Sequence, residues 1–107
     1  MEDALESDRC ARVLRAMADP ERLKIVQCLR EGPKNVSEIA ELLGEEVVNV
    51  SHHLGVLRQA ALVLDQRHGR FVVYQLHPDV FHPSNKGQKE HLDFGCCRLE
   101  IPKDAAE

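Results

Sequence analysis

Two hydrophobic rhythms divide the chain. Up to about residue 60, apolar positions recur every three or four residues, the spacing of one helix face. From Leu62 to Leu76 they gather into two short runs around a glycine. The first rhythm predicts a helix over about Ala4–Met17, with Cys10, Val13, Leu14 and Met17 on one face. Asp19-Pro20 reads as an N-cap followed by proline at the first helical position. It predicts a second helix over about Pro20–Arg30 that buries Leu23, Ile25, Val26 and Leu29 and ends at Gly32-Pro33. Asn35 and Glu38 have the spacing of a capping box and open a short third helix, with Ile39, Leu42 and Leu43 inward and Gly44 as its stop. A fourth helix is predicted over about Val47–Ala60, its buried stripe Val50, Leu54, Leu57 and Ala61. The second rhythm, Leu62–Arg67 and Phe71–Leu76 around His68-Gly69-Arg70, predicts a β-hairpin. Beyond Pro78 the pattern weakens. Ser84–Lys89 reads as a polar loop, and Leu92–Ile101 as a strand or an extended arm.

This order of elements is that of a winged helix-turn-helix, mainly α with a β-hairpin. It places a winged helix-turn-helix DNA-binding domain over residues 1–78, to which the family resemblance given below adds dimerisation, and a C-terminal arm over residues 79–107. A short third helix, a tight turn at Gly44-Glu45-Glu46 and a rigid fourth helix turn the start of that fourth helix outward. An α-helix fits the major groove of B-DNA, where base edges carry distinguishable donor and acceptor patterns. Asn49, Ser51 and His52 are the candidate base-reading residues. Arg67, His68 and Arg70 at the hairpin tip can reach phosphates or a minor groove, and Arg58 can reach a phosphate.

Composition refines this picture. The 107 residues allow one core, which must be aliphatic because the chain has no Trp and four other aromatics. The net charge of −4 runs against phosphate binding. It keeps open a winged-helix module for protein interaction without an operator. Local sign matters more at a surface: acids crowd the first eight residues and Glu38–Glu46, whereas Arg67, His68 and Arg70 form a basic cluster. Glu45 and Glu46 read as acids that favour a helix N-terminus. No apolar run reaches the roughly 18–20 residues of a membrane span, and MEDALESDR lacks the apolar stretch of a signal peptide. The expectation is a cytoplasmic protein without a membrane partner. No nucleophile–base set, phosphate-cradling glycine loop or HExxH motif argues for an enzyme.

Four cysteines carry the remaining chemistry. Cys28, among Leu, Ile and Val, reads as a core thiol. Cys96 and Cys97 are adjacent, and on an extended strand their side chains would point to opposite sides, so both could not pack one core. Vicinal thiols are soft donors for thiophilic metals, and they can also oxidise, with each other or with a third cysteine. Arg98 beside them can favour thiolates. Spacing of the CxxC type is absent, so a zinc site would have to collect distant donors.

The stretch Leu14–Leu76 resembles the ArsR/SmtB family of metal- and ligand-responsive bacterial repressors. The resemblance rests on ADPERLKI at Ala18–Ile25, VSEIA at Val36–Ala40, SHHL at Ser51–Leu54, Leu57-Arg58 and the Gly69-Arg70 wing tip. It implies a homodimer, with the first helix and C-terminal segment at the interface, that binds a double-stranded DNA operator until an inducer relieves it. With both segments at that interface, Cys10 becomes the natural third donor beside Cys96 and Cys97. The implied inducer is a thiophilic metalloid, As(III) or Sb(III), which takes three sulfurs; zinc and cadmium come second. A thiol-redox repressor is the alternative. The family position at His53 implies a structural hydrogen bond. Three departures stand out. Ala61 occupies a usual glycine, the third helix lacks a cysteine pair, and Pro78, Pro83 and Gly87 oppose a long closing helix, leaving His77, Asp79 and His82 as possible ligands there.

Overall fold

The computed structural model describes residues 2–82 and 91–100. These residues include four helices: α1 (Glu2–Met17), α2 (Pro20–Leu29), α3 (Val36–Leu43) and α4 (Val47–Gln59). Among the described residues there are six strands: β1 (Lys34–Asn35), which lies between α2 and α3, then β2 (Val63–His68), β3 (Phe71–Leu76), β4 (Phe81–His82), β5 (His91–Asp93) and β6 (Arg98–Leu99) after α4. They form two antiparallel three-stranded sheets, ordered β1-β3-β2 and β4-β5-β6. The loop expected at Ser84–Lys89 lies outside the described residues, as does the side chain of His82.

Local chemistry sets the helix boundaries. The Asp19 carboxylate accepts from Glu21 N (2.8 Å) and Arg22 N (3.2 Å), with Pro20 opening α2. The two backbone hydrogen bonds, that from Arg22 first, hold the Asp19 carboxyl below its ordinary pKa, with smaller help from the Arg22 charge and against some desolvation. Asn35 and Glu38 form the reciprocal capping box, both bonds at 2.8 Å, and α3 stops at Gly44. Helix α4 ends in a Schellman motif: Leu62 N donates to Leu57 O and Ala61 N to Arg58 O, each at 2.9 Å. That closure puts Ala61 at φ 62°, the left-handed conformation in which glycine is favoured. Ala61 is therefore exposed beyond the helix rather than the last member of its buried stripe.

The fully buried side chains are Ile25, Val26, Ile39, Val50, Leu54, Leu57, Leu62 and Val63. Three residues expected inside point outward instead: Leu14, Leu23 and Leu42, the last 63% exposed. Helical spacing gives each side chain an angle about its own axis, but not which neighbour covers it. In α1, Ala16 is buried where Leu14 is not.

The wing is a hairpin of two six-residue strands in full register, from Val63 opposite Leu76 to His68 opposite Phe71. Its two-residue turn has Gly69 first at φ 64°, the pattern of a type II′ turn, which glycine adopts without strain. A third strand, β1, not evident in the sequence, pairs Lys34 with Tyr74 and Asn35 with Val73. It ties the start of α3 to the wing. The described stretch of the arm over 91–100 is not one strand: β5 and β6 are joined by a turn at residues 95–96, and Leu92 and Phe94 are buried in the same core as the helices.

Candidate functional site

Helices α3 and α4, with the turn between them, and the β2–β3 wing make a helix-turn-helix with a ribbon beside it. Val50, Leu54 and Leu57 hold one side of α4 in the core. Asn49, Ser51 and His52 are exposed on its other faces. His53 sits at the edge of the buried side, where its Nδ1 accepts from Arg22 Nη1 (3.1 Å); Arg22 Nε also donates to Ala16 O (2.6 Å). Arginine has no acceptor, so this bond leaves the ring proton on Nε2. Arg22 thus braces α4 against the ends of α1 and α2, a role that sequence reasoning did not assign. The structure gives no helix-capping side chain at Glu46, which is the N-cap of α4 but makes no side-chain cap bond.

Arg67, His68 and Arg70 are all exposed at the wing tip. Arg58 instead pairs with Asp65 on β2, its Nη1 3.1 Å from Oδ2. That pair links the last turn of α4 to the wing and neutralises the acid on the ribbon. The tip is left with a positive balance, while Arg58 would have to exchange Asp65 for a phosphate.

The second assembly lies where the arm meets α1. Cys10 and Cys96 are disulfide-bonded (Cα–Cα 6.3 Å), 86 positions apart. The sulfurs of Cys10, Cys96 and Cys97 all lie within 4.8 Å of one another. Cys96 is exposed, Cys10 and Cys97 half-buried, and Cys97 packs on the core. Strand alternation does not separate the adjacent pair, because the chain turns there. Gly95 takes φ 89°, its N–H donates to Asp93 Oδ1 (2.9 Å), and Phe94 N donates to Cys97 O (3.0 Å). Arg9 on α1 fastens the turn by donating from Nη2 to Phe94 O (3.1 Å); only the tertiary structure reveals that role. Arg98 lies 3.6 Å from Asp93 Oδ2, so its charge is shared with a carboxylate rather than held for the thiols. His77 and Asp79 face one another at 4.0 Å, outside the sulfur group. Cys28 is half-buried against the core, and burial pushes its thiol pKa up. Between the sulfur turn and the end of α4 runs a cleft of about 410 Å³, lined by Arg9, Val13, Leu62, His77, Asp93 and Phe94 among others.

Residues 19–64, which span α2 to the first strand of the wing, match the family described as "Bacterial regulatory protein, arsR family". The fold agrees with a solved homodimeric winged helix-turn-helix DNA-binding domain from Mycobacterium bovis, described as a possible ArsR-family transcriptional regulator. The TM-score is 0.69 at 31% identity, covering 72% of this chain and 71% of that one. The chain belongs to the ArsR family. Among ArsR-family relatives, the HTH-type transcriptional regulator NmtR of Mycobacterium tuberculosis is 44% identical over 75 residues, 70% of this chain and 62% of that protein. The arsenic resistance transcriptional regulator ArsR1 of Pseudomonas putida is 36% identical over 69 residues, 64% of this chain and 54% of its own length. The chain thus spans between half and two thirds of these relatives. As an ArsR-family chain it carries the DNA-binding winged helix of transcriptional regulators, and its relatives are regulators rather than enzymes. No described helix is long and apolar enough to cross a membrane.

Proposed function

We propose that this chain is a homodimeric transcriptional repressor that leaves its operator when a thiol-reactive inducer, foremost a trivalent metalloid, engages Cys10, Cys96 and Cys97. The observation that carries the reading is the three-sulfur group within 4.8 Å, in a family of DNA-binding regulators. The donor set fits. It is all sulfur, suited to a soft thiophilic centre, and among the described residues it stops at three donors, one short of a structural zinc site. The similarity to an arsenic resistance regulator points the same way.

In this reading Asn49, Ser51 and His52 meet base edges, and Arg67, His68 and Arg70 meet backbone or minor groove. Leu14, 42% exposed on α1, supplies apolar surface for the partner subunit. Reduced, the three thiols leave the arm held by Leu92, Phe94 and Arg9. Engaging all three ties the arm to α1 and shifts Phe94 against Leu62 and the end of α4, which alters the spacing of the two reading helices. That spacing must match half-sites roughly 34–36 Å apart. A coupling of a few kcal/mol lowers operator affinity a hundredfold or more.

The Cys10–Cys96 disulfide favours a second reading, redox control. Two thiols would yield a disulfide, two protons and two electrons, the electrons reducing a peroxide to water. One set of gel shifts separates the readings. With reduced protein, arsenite should release DNA from the wild type and not from the Cys96→Ser/Cys97→Ser double variant, whose DNA binding stays intact. Retained arsenite release in that variant overturns the metalloid site. Release by peroxide alone, persisting in Cys97→Ser but lost in Cys10→Ser, supports the redox reading instead.

A further inference from the structure

Val48 lies in the first turn of α4, about 160° round the helix from the buried Val50, and His52 lies equally far on the other side. The two are one turn apart and form the outermost ridge of the helix. Val48 is 76% exposed, the most exposed large hydrophobic side chain among the described residues, and Val47 beside it is also exposed. A side chain so exposed contributes little to the core. Local propensity does not explain it either, since valine is a middling helix former. Further along the same side, Gly55 is equally unexplained by packing. Glycine inside a helix costs about 1 kcal/mol relative to alanine, yet an added Cβ there would meet nothing within 4 Å. Together these leave an outward face opening with a rigid isopropyl group and then lying low enough for another surface to approach.

The carboxylates of Glu45 and Glu46 flank that first turn, and they disfavour phosphate there. What suits the position is an apolar mark on a base edge. In the major groove that mark is the C5-methyl of thymine, absent from cytosine and from every minor-groove edge. Valine's single favoured χ1 rotamer limits the entropy lost on contact. We infer that Val48 is a specificity-determining residue that reads a thymine C5-methyl in each operator half-site. This rests on the DNA-binding reading above.

The test begins by selecting an operator from random duplexes with the full-length reduced chain. Each thymine is then replaced singly by deoxyuridine, which removes the methyl and keeps the pairing edge. Wild-type affinity should fall about fourfold at one position per half-site, the equivalent of one buried methyl at about 0.8 kcal/mol. Val48→Ala should bind the thymine operator about fourfold more weakly per half-site and lose the deoxyuridine penalty. Intact binding with a flat deoxyuridine scan overturns the inference and spares the operator reading. So does a Val48→Ala variant that keeps the full penalty. If Val48→Ala changes the subunit count by sedimentation while the scan is unaltered, the ridge is a protein contact and the inference falls. Failure to enrich any duplex, with no salt-sensitive binding, overturns both readings.

Discussion

Ala61 is the position where this chain departs most measurably from its own backbone geometry. It is the residue just past the α4 cap, held at φ 62° by two 2.9 Å hydrogen bonds, with the buried Leu57 and Leu62 packed behind the closure. The left-handed conformation costs an L-residue about 1–2 kcal/mol. Glycine removes that cost but brings a more flexible unfolded chain, which returns about 0.4–1 kcal/mol. The difference predicts that Ala61→Gly stabilises the fold by roughly 0.5–1 kcal/mol. For a chain of this size that corresponds to a rise in Tm of about 3–6 °C. In urea the midpoint should rise while the slope stays unchanged. Protein concentration must be equal in both samples, because self-association shifts Tm. Ala60→Gly is the control. Ala60 has φ −86°, so glycine there relieves nothing and should lower the midpoint. If Ala61→Gly leaves the midpoint unmoved or lowers it, the reasoning about strain in this cap is wrong.

Other outcomes follow from the same structure. Asn35→Ala removes one bond of the capping box and loosens its reciprocal partner; it should cost about 1 kcal/mol by urea titration. The pKa of Asp19 is depressed in the folded state, so its contribution is present above the unfolded carboxylate value and lost as pH falls through the lower folded one. Stability curves of wild type and Asp19→Asn should therefore separate above about pH 4 and converge in stronger acid. A double-mutant cycle on Arg58 and Asp65 should give a coupling below about 1 kcal/mol, since the pair is substantially exposed. In reduced protein at neutral pH, timed alkylation read by mass spectrometry should label Cys28 last, because burial keeps its thiolate scarce. Early labelling of Cys28 would contradict its packing.

What the sequence alone determined is local. Asp19-Pro20, the Asn35–Glu38 box, the stop at Gly44 and the turn at Gly69 each act through atoms within about five residues. Their signatures therefore survive without any knowledge of the fold, and with the two hydrophobic rhythms they suffice for a winged helix-turn-helix. The exposure of Asn49, Ser51 and His52 was legible for the same reason, since they lie off a buried stripe whose period is visible. Tertiary structure decided what depends on a distant neighbour. Leu14, Leu23 and Leu42 lie outside because no other described element covers them. Lys34 and Asn35 are a strand only because β3 offers its edge. Arg58 is held by an acid on the wing, and Arg9 by a carbonyl 85 positions away. The chain turn at Gly95 sets Cys96 and Cys97 beside Cys10, and that convergence depends on how the arm packs onto α1, which no periodicity along the chain encodes.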